Sequence, residues 1–289
     1  MIDRDTAAQV RARDLEVDGV TTTVLSSGPD DDAAEAAVFV HGNPGSGEDW
    51  RGLLARAGTV GRALAWDHPG YGRSTVPPSF EYTVEGYGRH MQRMLDRLGV
   101  RRSHLVLHDL GGLWMLPWAA RNPERFASAT LLNVGVLPGY RWHMFARVWR
   151  TPVIGELSLT GPRSAFRRTI NRGQVTPLPR AFVDRMYRDL DGTTRRAILA
   201  FYRSVDDPAA GAEEVAAALR PLDRPALVIW GCRDPYLPAT LVAAQRTAFP
   251  RAETLMLDDA GHWPFIDAPD VVGDAVTGFL RRQLAGANG

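Results

Sequence analysis

The opening of the chain alternates apolar with polar residues at a period of two. Leu15 to Val17 and Val20 to Leu25 flank Asp18-Gly19, a pair that tolerates the positive φ angles of a type I′ turn, so two antiparallel strands are expected there. The polar, acidic stretch Pro29 to Glu35 then reads as a loop. After it the pattern changes to short, continuously apolar runs: Ala37 to Val40, Ala63 to Trp66, His104 to Leu107, Ala129 to Leu132, Ala226 to Trp230 and Thr254 to Leu257. Runs of this kind suit strands buried on both faces of a parallel sheet, and the helical patterns between them suit crossover helices. The result is an α/β, doubly wound architecture.

The alternation stops between Leu137 and Asp207, where arginine, proline and aromatic residues replace the strand pattern. This stretch is expected to form a mostly helical insertion after the sixth strand, above the carboxyl ends of the strands where open α/β sheets bind ligands. The expected organisation is a core from 1–136 and 208–289, with a cap from 137–207. Gly139 to Arg203 holds 13 arginines against four acids, Glu156, Asp184, Asp189 and Asp191. A solvated basic face accounts for them, and attraction of an acidic substrate is the sharper alternative.

Composition narrows the function classes. A chain of 289 residues can bury a large core, and a formal net charge of +1 offers neither nucleic acid nor an anionic membrane a reason to bind. All 34 basic residues are arginine. No run of 18 apolar residues is present, and the charged start, Met1 to Asp18, lacks the apolar stretch of a signal peptide, so a cytoplasmic protein is expected. The single cysteine, Cys232, excludes an intramolecular disulfide and reads as a small buried residue near a strand end.

Candidate chemistry collects just past the ends of expected strands. Leu105-Val106-Leu107-His108-Asp109-Leu110-Gly111-Gly112 runs from a strand through a glycine pair into a helix, a bend that holds its apex residue above the sheet. The apex is Asp109, where an esterase would carry serine. A carboxylate is ionised at neutral pH and can displace a leaving group from saturated carbon without a base to activate it. The simpler alternative is an ordinary N-cap aspartate. His41-Gly42-Asn43-Pro44-Gly45 follows the third strand, where the backbone N–H groups of Asn43 and Leu110 would form an oxyanion hole. Asp234, in Gly231-Cys232-Arg233-Asp234-Pro235, and His262, in Gly261-His262-Trp263-Pro264, complete the order nucleophile, acid, histidine. Asn133, at another strand end, cannot be the acid because an amide carries no charge. The histidines form no metal-binding spacing.

With Asp67-His68-Pro69-Gly70-Tyr71-Gly72-Arg73-Ser74 added, these motifs resemble the aspartate-nucleophile branch of the α/β-hydrolase family, which holds epoxide hydrolases and haloalkane dehalogenases. The resemblance covers Val17 to Val136 and Pro225 to Leu284. It implies an α/β-hydrolase fold, a covalent ester on Asp109, no cofactor, and a monomer or homodimer acting on a small hydrophobic substrate. Asn43 matches the halide-binding asparagine of dehalogenases, whereas Leu110 stands where they carry tryptophan. Phe201-Tyr202-Arg203 resembles the segment whose tyrosine protonates the epoxide oxygen, and Tyr140 is the nearest candidate for a second phenol. The resemblance therefore implies an epoxide hydrolase first, with a dehalogenase or a non-hydrolytic protein on the same scaffold as alternatives. Trp114, Trp142, Phe145 and Trp149 are the expected apolar walls.

Overall fold

The computed structural model describes residues 8–29 and 33–285. Eight strands form one sheet in the order β1-β2-β4-β3-β5-β6-β7-β8. They are β1 Arg11–Val17, β2 Val20–Ser27, β3 Glu35–Val40, β4 Ala63–Trp66, β5 Arg102–His108, β6 Phe126–Leu132, β7 Ala226–Gly231 and β8 Glu253–Leu257. Asp18 and Gly19 adopt φ 51° and 76°, as the expected hairpin requires, and pair β1 with β2. β2 runs antiparallel to β4, and every pairing from β4 to β8 is parallel. Glu35, expected in the acidic loop, already belongs to β3, while 30–32 lie outside the described residues.

Two helical layers cover the sheet. The helices are α1 Arg51–Ala57, α2 Val84–Arg97, α3 Leu110–Arg121, α4 Met144–Arg150, α5 Ile154–Ser158, α6 Arg163–Ile170, α7 Arg180–Asp189, α8 Gly192–Ser204, α9 Ala212–Leu219, α10 Pro264–Asp267 and α11 Pro269–Ala285. One core cluster packs α2, α3 and α9 against one face of the sheet, and the other packs α1 and α11 against the opposite face. Most parallel strands are buried throughout, as their apolar runs predict. β8 departs from that expectation, because it ends the sheet and has a neighbour on one side only, so its residues are half-buried or exposed. Cys232, expected to be buried, is partly exposed just past β7.

Five helices, α4 to α8, occupy the stretch between β6 and α9 that lacked strand pattern. They close over the carboxyl ends of the strands. Several of their arginines are tied down locally: Arg167 pairs with Asp184, Arg203 with Glu156, and Arg185 of α7 with the buried Asp49 beneath it. No described helix is long and apolar enough to cross a membrane.

Candidate active site

Parallel strands deliver their carboxyl ends to one side of the sheet, and the loops that leave β3, β5, β6, β7 and β8 there carry Asn43, Asp109, Asn133, Asp234 and His262. Asp109 sits between β5 and α3 at φ 48° and ψ −123°, outside the regions open to ordinary residues. The close fit around it needs the glycines. A Cβ on Gly42 would lie 2.3 Å from the Asp109 Cβ, one on Gly111 would lie 2.7 Å from the Val40 carbonyl oxygen, and one on Gly112 would lie 2.2 Å from a Val134 methyl.

The Asp109 side chain makes no helix-capping hydrogen bond, so the N-cap alternative does not describe it. One carboxylate oxygen, Oδ1, accepts from the Asn43 N–H at 2.7 Å, and the other, Oδ2, faces His262 Nε2 at 3.5 Å. Leu110 follows as the first residue of α3, but its N–H makes no hydrogen bond to the carboxylate among the described residues. The Asn43 loop is itself held. His41 Nε2 accepts from the His68 N–H at 3.0 Å, which leaves Nδ1 to donate to the Gly42 carbonyl at 2.9 Å.

His262 Nδ1 meets Asp234 Oδ2 at 2.7 Å. Asp234 is fixed in turn: Oδ1 accepts from the N–H groups of Tyr236 (2.7 Å) and Leu237 (3.0 Å), and Oδ2 from Asn133 Nδ2 at 2.6 Å. The Asn133 side-chain oxygen Oδ1 accepts from the Gly231 N–H at 2.8 Å, locking β6 to β7 at the site. His108 contributes a bond of 2.7 Å from Nε2 to the His262 carbonyl.

Burial alone would raise the Asp109 carboxyl, yet the hydrogen bond and charge of His262, with His108 and the Asn43 N–H, bring it to about 2. Burial likewise pulls His262 down, but the charges of Asp234 and Asp109 outweigh it and raise the imidazole to about 10. Asp234 is lowered as well, burial being overcome by His262, Asn133 and the Leu237 N–H. Both directions favour the protonated form of His262 between the two carboxylates.

A cavity of about 260 Å³ opens above Asp109 and His262. Phe145, Trp149, Leu159, Phe166 and Ile198 make its wall largely apolar, and no arginine is among the described residues that line it. Of the expected walls, Phe145 and Trp149 are in place. Trp114 is not, being fully buried and stacked on Tyr87 at 4.3 Å beneath the site. Trp142 also lies off the cavity, where it packs on Tyr202 and donates to the Val205 carbonyl. Neither expected phenol lines the cavity: Tyr140 donates to the Tyr236 carbonyl at 3.4 Å, and Tyr202 is buried with its hydroxyl beside the Asn43 side chain. Neither amide atom of Asn43 completes a hydrogen bond of normal geometry among the described residues. Asn133, Tyr236 and His143 were not assigned to the site from sequence; only Asn133, at the end of an apolar run, carried a positional signal.

Comparison with known proteins bears on the family and the fold. A cis-3-alkyl-4-alkyloxetan-2-one decarboxylase of Xanthomonas campestris is 28% identical, over 92% of this chain and 94% of its own. A haloalkane dehalogenase of Mycobacterium tuberculosis is 27% identical over 86% of this chain and 88% of its own. Among solved structures, a haloalkane dehalogenase of Bradyrhizobium elkani superposes with a TM-score of 0.83 at 21% identity, covering 96% of this chain and 100% of the other, a likeness of fold. The model of the alpha/beta hydrolase family matches residues 37–275, and with the sheet order and the strand-end loops described above it establishes that the chain belongs to that family.

Proposed function

We propose that the protein is a hydrolase that displaces a stable anion, a halide in the simplest case, from saturated carbon through an ester on Asp109. The observation that carries this reading is the Asp109 carboxylate on its strained bend, one oxygen held by the Asn43 N–H and the other facing His262. In the first step Asp109 Oδ2 bonds to the substrate carbon, and the leaving group departs with the bonding electron pair. Esterification removes one of the two negative charges that sustain the imidazolium, so His262 releases its proton to solvent and becomes a base. It then takes a proton from water as that water attacks the Asp109 carbonyl carbon. The oxyanion formed rests on the Asn43 N–H, with Leu110 as second donor, each worth roughly 3 to 4 kcal/mol in comparable chemistry. Collapse expels the alcohol, which receives the proton from His262, and the regenerated carboxyl group returns a proton to the imidazole. Overall, R–X and water give R–OH, X⁻ and H⁺.

The unpartnered Asn43 amide supports an anionic leaving group, since an N–H donor can hold a halide without transferring a proton. A ring-opened carboxylate is an anion of the same kind, and the lactone-acting relative from Xanthomonas makes such a ring the next substrate to test. Epoxide opening is the second reading, favoured by the Tyr202 hydroxyl beside Asn43.

In the His262→Gln variant the ester should accumulate. Intact mass after incubation with 1-bromohexane, a cis-dialkyl β-lactone or styrene oxide is expected to show an adduct on Asp109. Hydrolysis of that ester should be slowed on the order of 10²- to 10⁴-fold. Unmodified protein with all three electrophiles would sink the proposal.

A further inference from the structure

His143 stands at the N-cap of α4 and also lines the cavity that contains Asp109 and His262. Its Nδ1 accepts the Ala146 N–H at 3.3 Å. A backbone N–H can only donate, so Nδ1 carries no proton while this cap is intact, and the neutral ring must hold its hydrogen on Nε2. Burial keeps the ring neutral by pushing it down to about 4, against the charge of Asp109. The imidazole plane is also fixed: its centroid lies 5.2 Å from the Tyr236 ring, which packs edge-on against His262 at 4.9 Å. Phe145 and Trp149 flank it on α4 at 6.3 and 6.1 Å. Nε2 has no acceptor among the described residues, and the residue borders the same cavity as Asp109. Helix capping thus leaves a rigid, uncharged N–H donor in a largely apolar wall.

We infer that His143 donates its Nε2 hydrogen to the departing anion during ester formation, as a partner to the Asn43 amide, and takes the place of the donor that Leu110 lacks. This rests on the Asp109 reading and adds the leaving-group contact to it. The contact moves no proton: the carbon–leaving group bond breaks, its electron pair stays with the leaving atom, and the N–H stabilises the charge that appears there. A donor of this kind matters more for a poor leaving group, which carries more charge in need of support at the transition state, than for a good one.

The test uses the His262→Gln background, in which the rate of adduct formation on Asp109 isolates the first step. His143→Ser keeps a capping oxygen for the Ala146 N–H but cannot reach the leaving group, and His143→Phe keeps the ring packing while losing the donor. With 1-chloro-, 1-bromo- and 1-iodohexane, both variants are expected to slow adduct formation, roughly 100-fold for chloride and less than tenfold for iodide. A purely structural role would lower all three rates by one common factor, and that result, or rates within twofold of the parent, would overturn the assignment. Ester forming at the parental rate without His143 removes this proposal alone. Absence of any adduct in the His262→Gln parent removes the Asp109 reading and this one with it.

Discussion

Asn133 is the residue whose contribution is easiest to isolate. Its amide holds Asp234 Oδ2 at 2.6 Å, the same oxygen that meets His262. A hydrogen bond to a charged group is worth about 1.5 kcal/mol, close to a factor of ten. On the proposed mechanism, Asn133→Ala should therefore slow ester hydrolysis roughly tenfold while leaving ester formation unchanged, because Asp109 attacks there without help from Asp234. Single-turnover kinetics separate the two steps, and an equal loss in both would show that the change disturbed the sheet rather than the acid. At this scale the sequence was legible where one residue type has one chemical use in its position. Asp109, Asp234 and His262 stand at strand ends in the expected order, and they meet. The aromatic residues were less legible. A tryptophan in a helix pattern looks the same whether it packs on Tyr87, as Trp114 does, or faces the cavity, as Trp149 does. Only the rotation of the helix against its neighbours decides. His143 was hidden for another reason, since its role depends on which ring nitrogen the helix start occupies, and no spacing encodes that.

Among the elements, the roof helices are tied to the sheet side by a buried charge. Arg185 on α7 pairs with Asp49, whose side chain is only 2% exposed, and burial raises that carboxyl to about 7 even against the arginine's pull. A carboxyl titrating higher in the folded chain than its ordinary 3.8 binds its proton more tightly when folded, so its contribution is greatest at low pH and is lost as pH rises through about 7. Removing Arg185 leaves that charge buried without its partner, a change that can cost 3 to 5 kcal/mol where a pair is fully enclosed. Arg185→Met should therefore lie near the parent in thermal stability at pH 5 and fall progressively below it toward pH 9. A deficit independent of pH would mean that the arginine acts through its stacking on Phe182 instead. The elements themselves followed from periodicity, because buried parallel strands leave continuous apolar runs. Sheet order did not: β8 reads like an interior strand in the sequence, and only the absence of a neighbour on one side makes it an exposed edge.

For the molecule as a whole, the sheet acts as a rigid frame that gathers five loops from five strands into one place, while the helices above decide what reaches them. Fold and family were therefore readable from motif order, whereas the leaving group was not, because it depends on the few polar atoms the helices bring to an apolar cavity. The bend at Asp109 has a consequence at this scale. A non-glycine residue held there stores about 1 to 3 kcal/mol of backbone strain. Asp109→Gly should abolish turnover and yet melt no lower than the parent, which calorimetry can check; a clear drop in Tm would mean that the ion pair with His262 outweighs the strain. Selection for heat resistance alone would thus tend to erode the residue proposed to carry turnover. On the proposed mechanism an aspartate would be kept there only under continued demand for its chemistry, so a lineage that lost its substrate would be expected to lose this side chain early, with the scaffold around it intact.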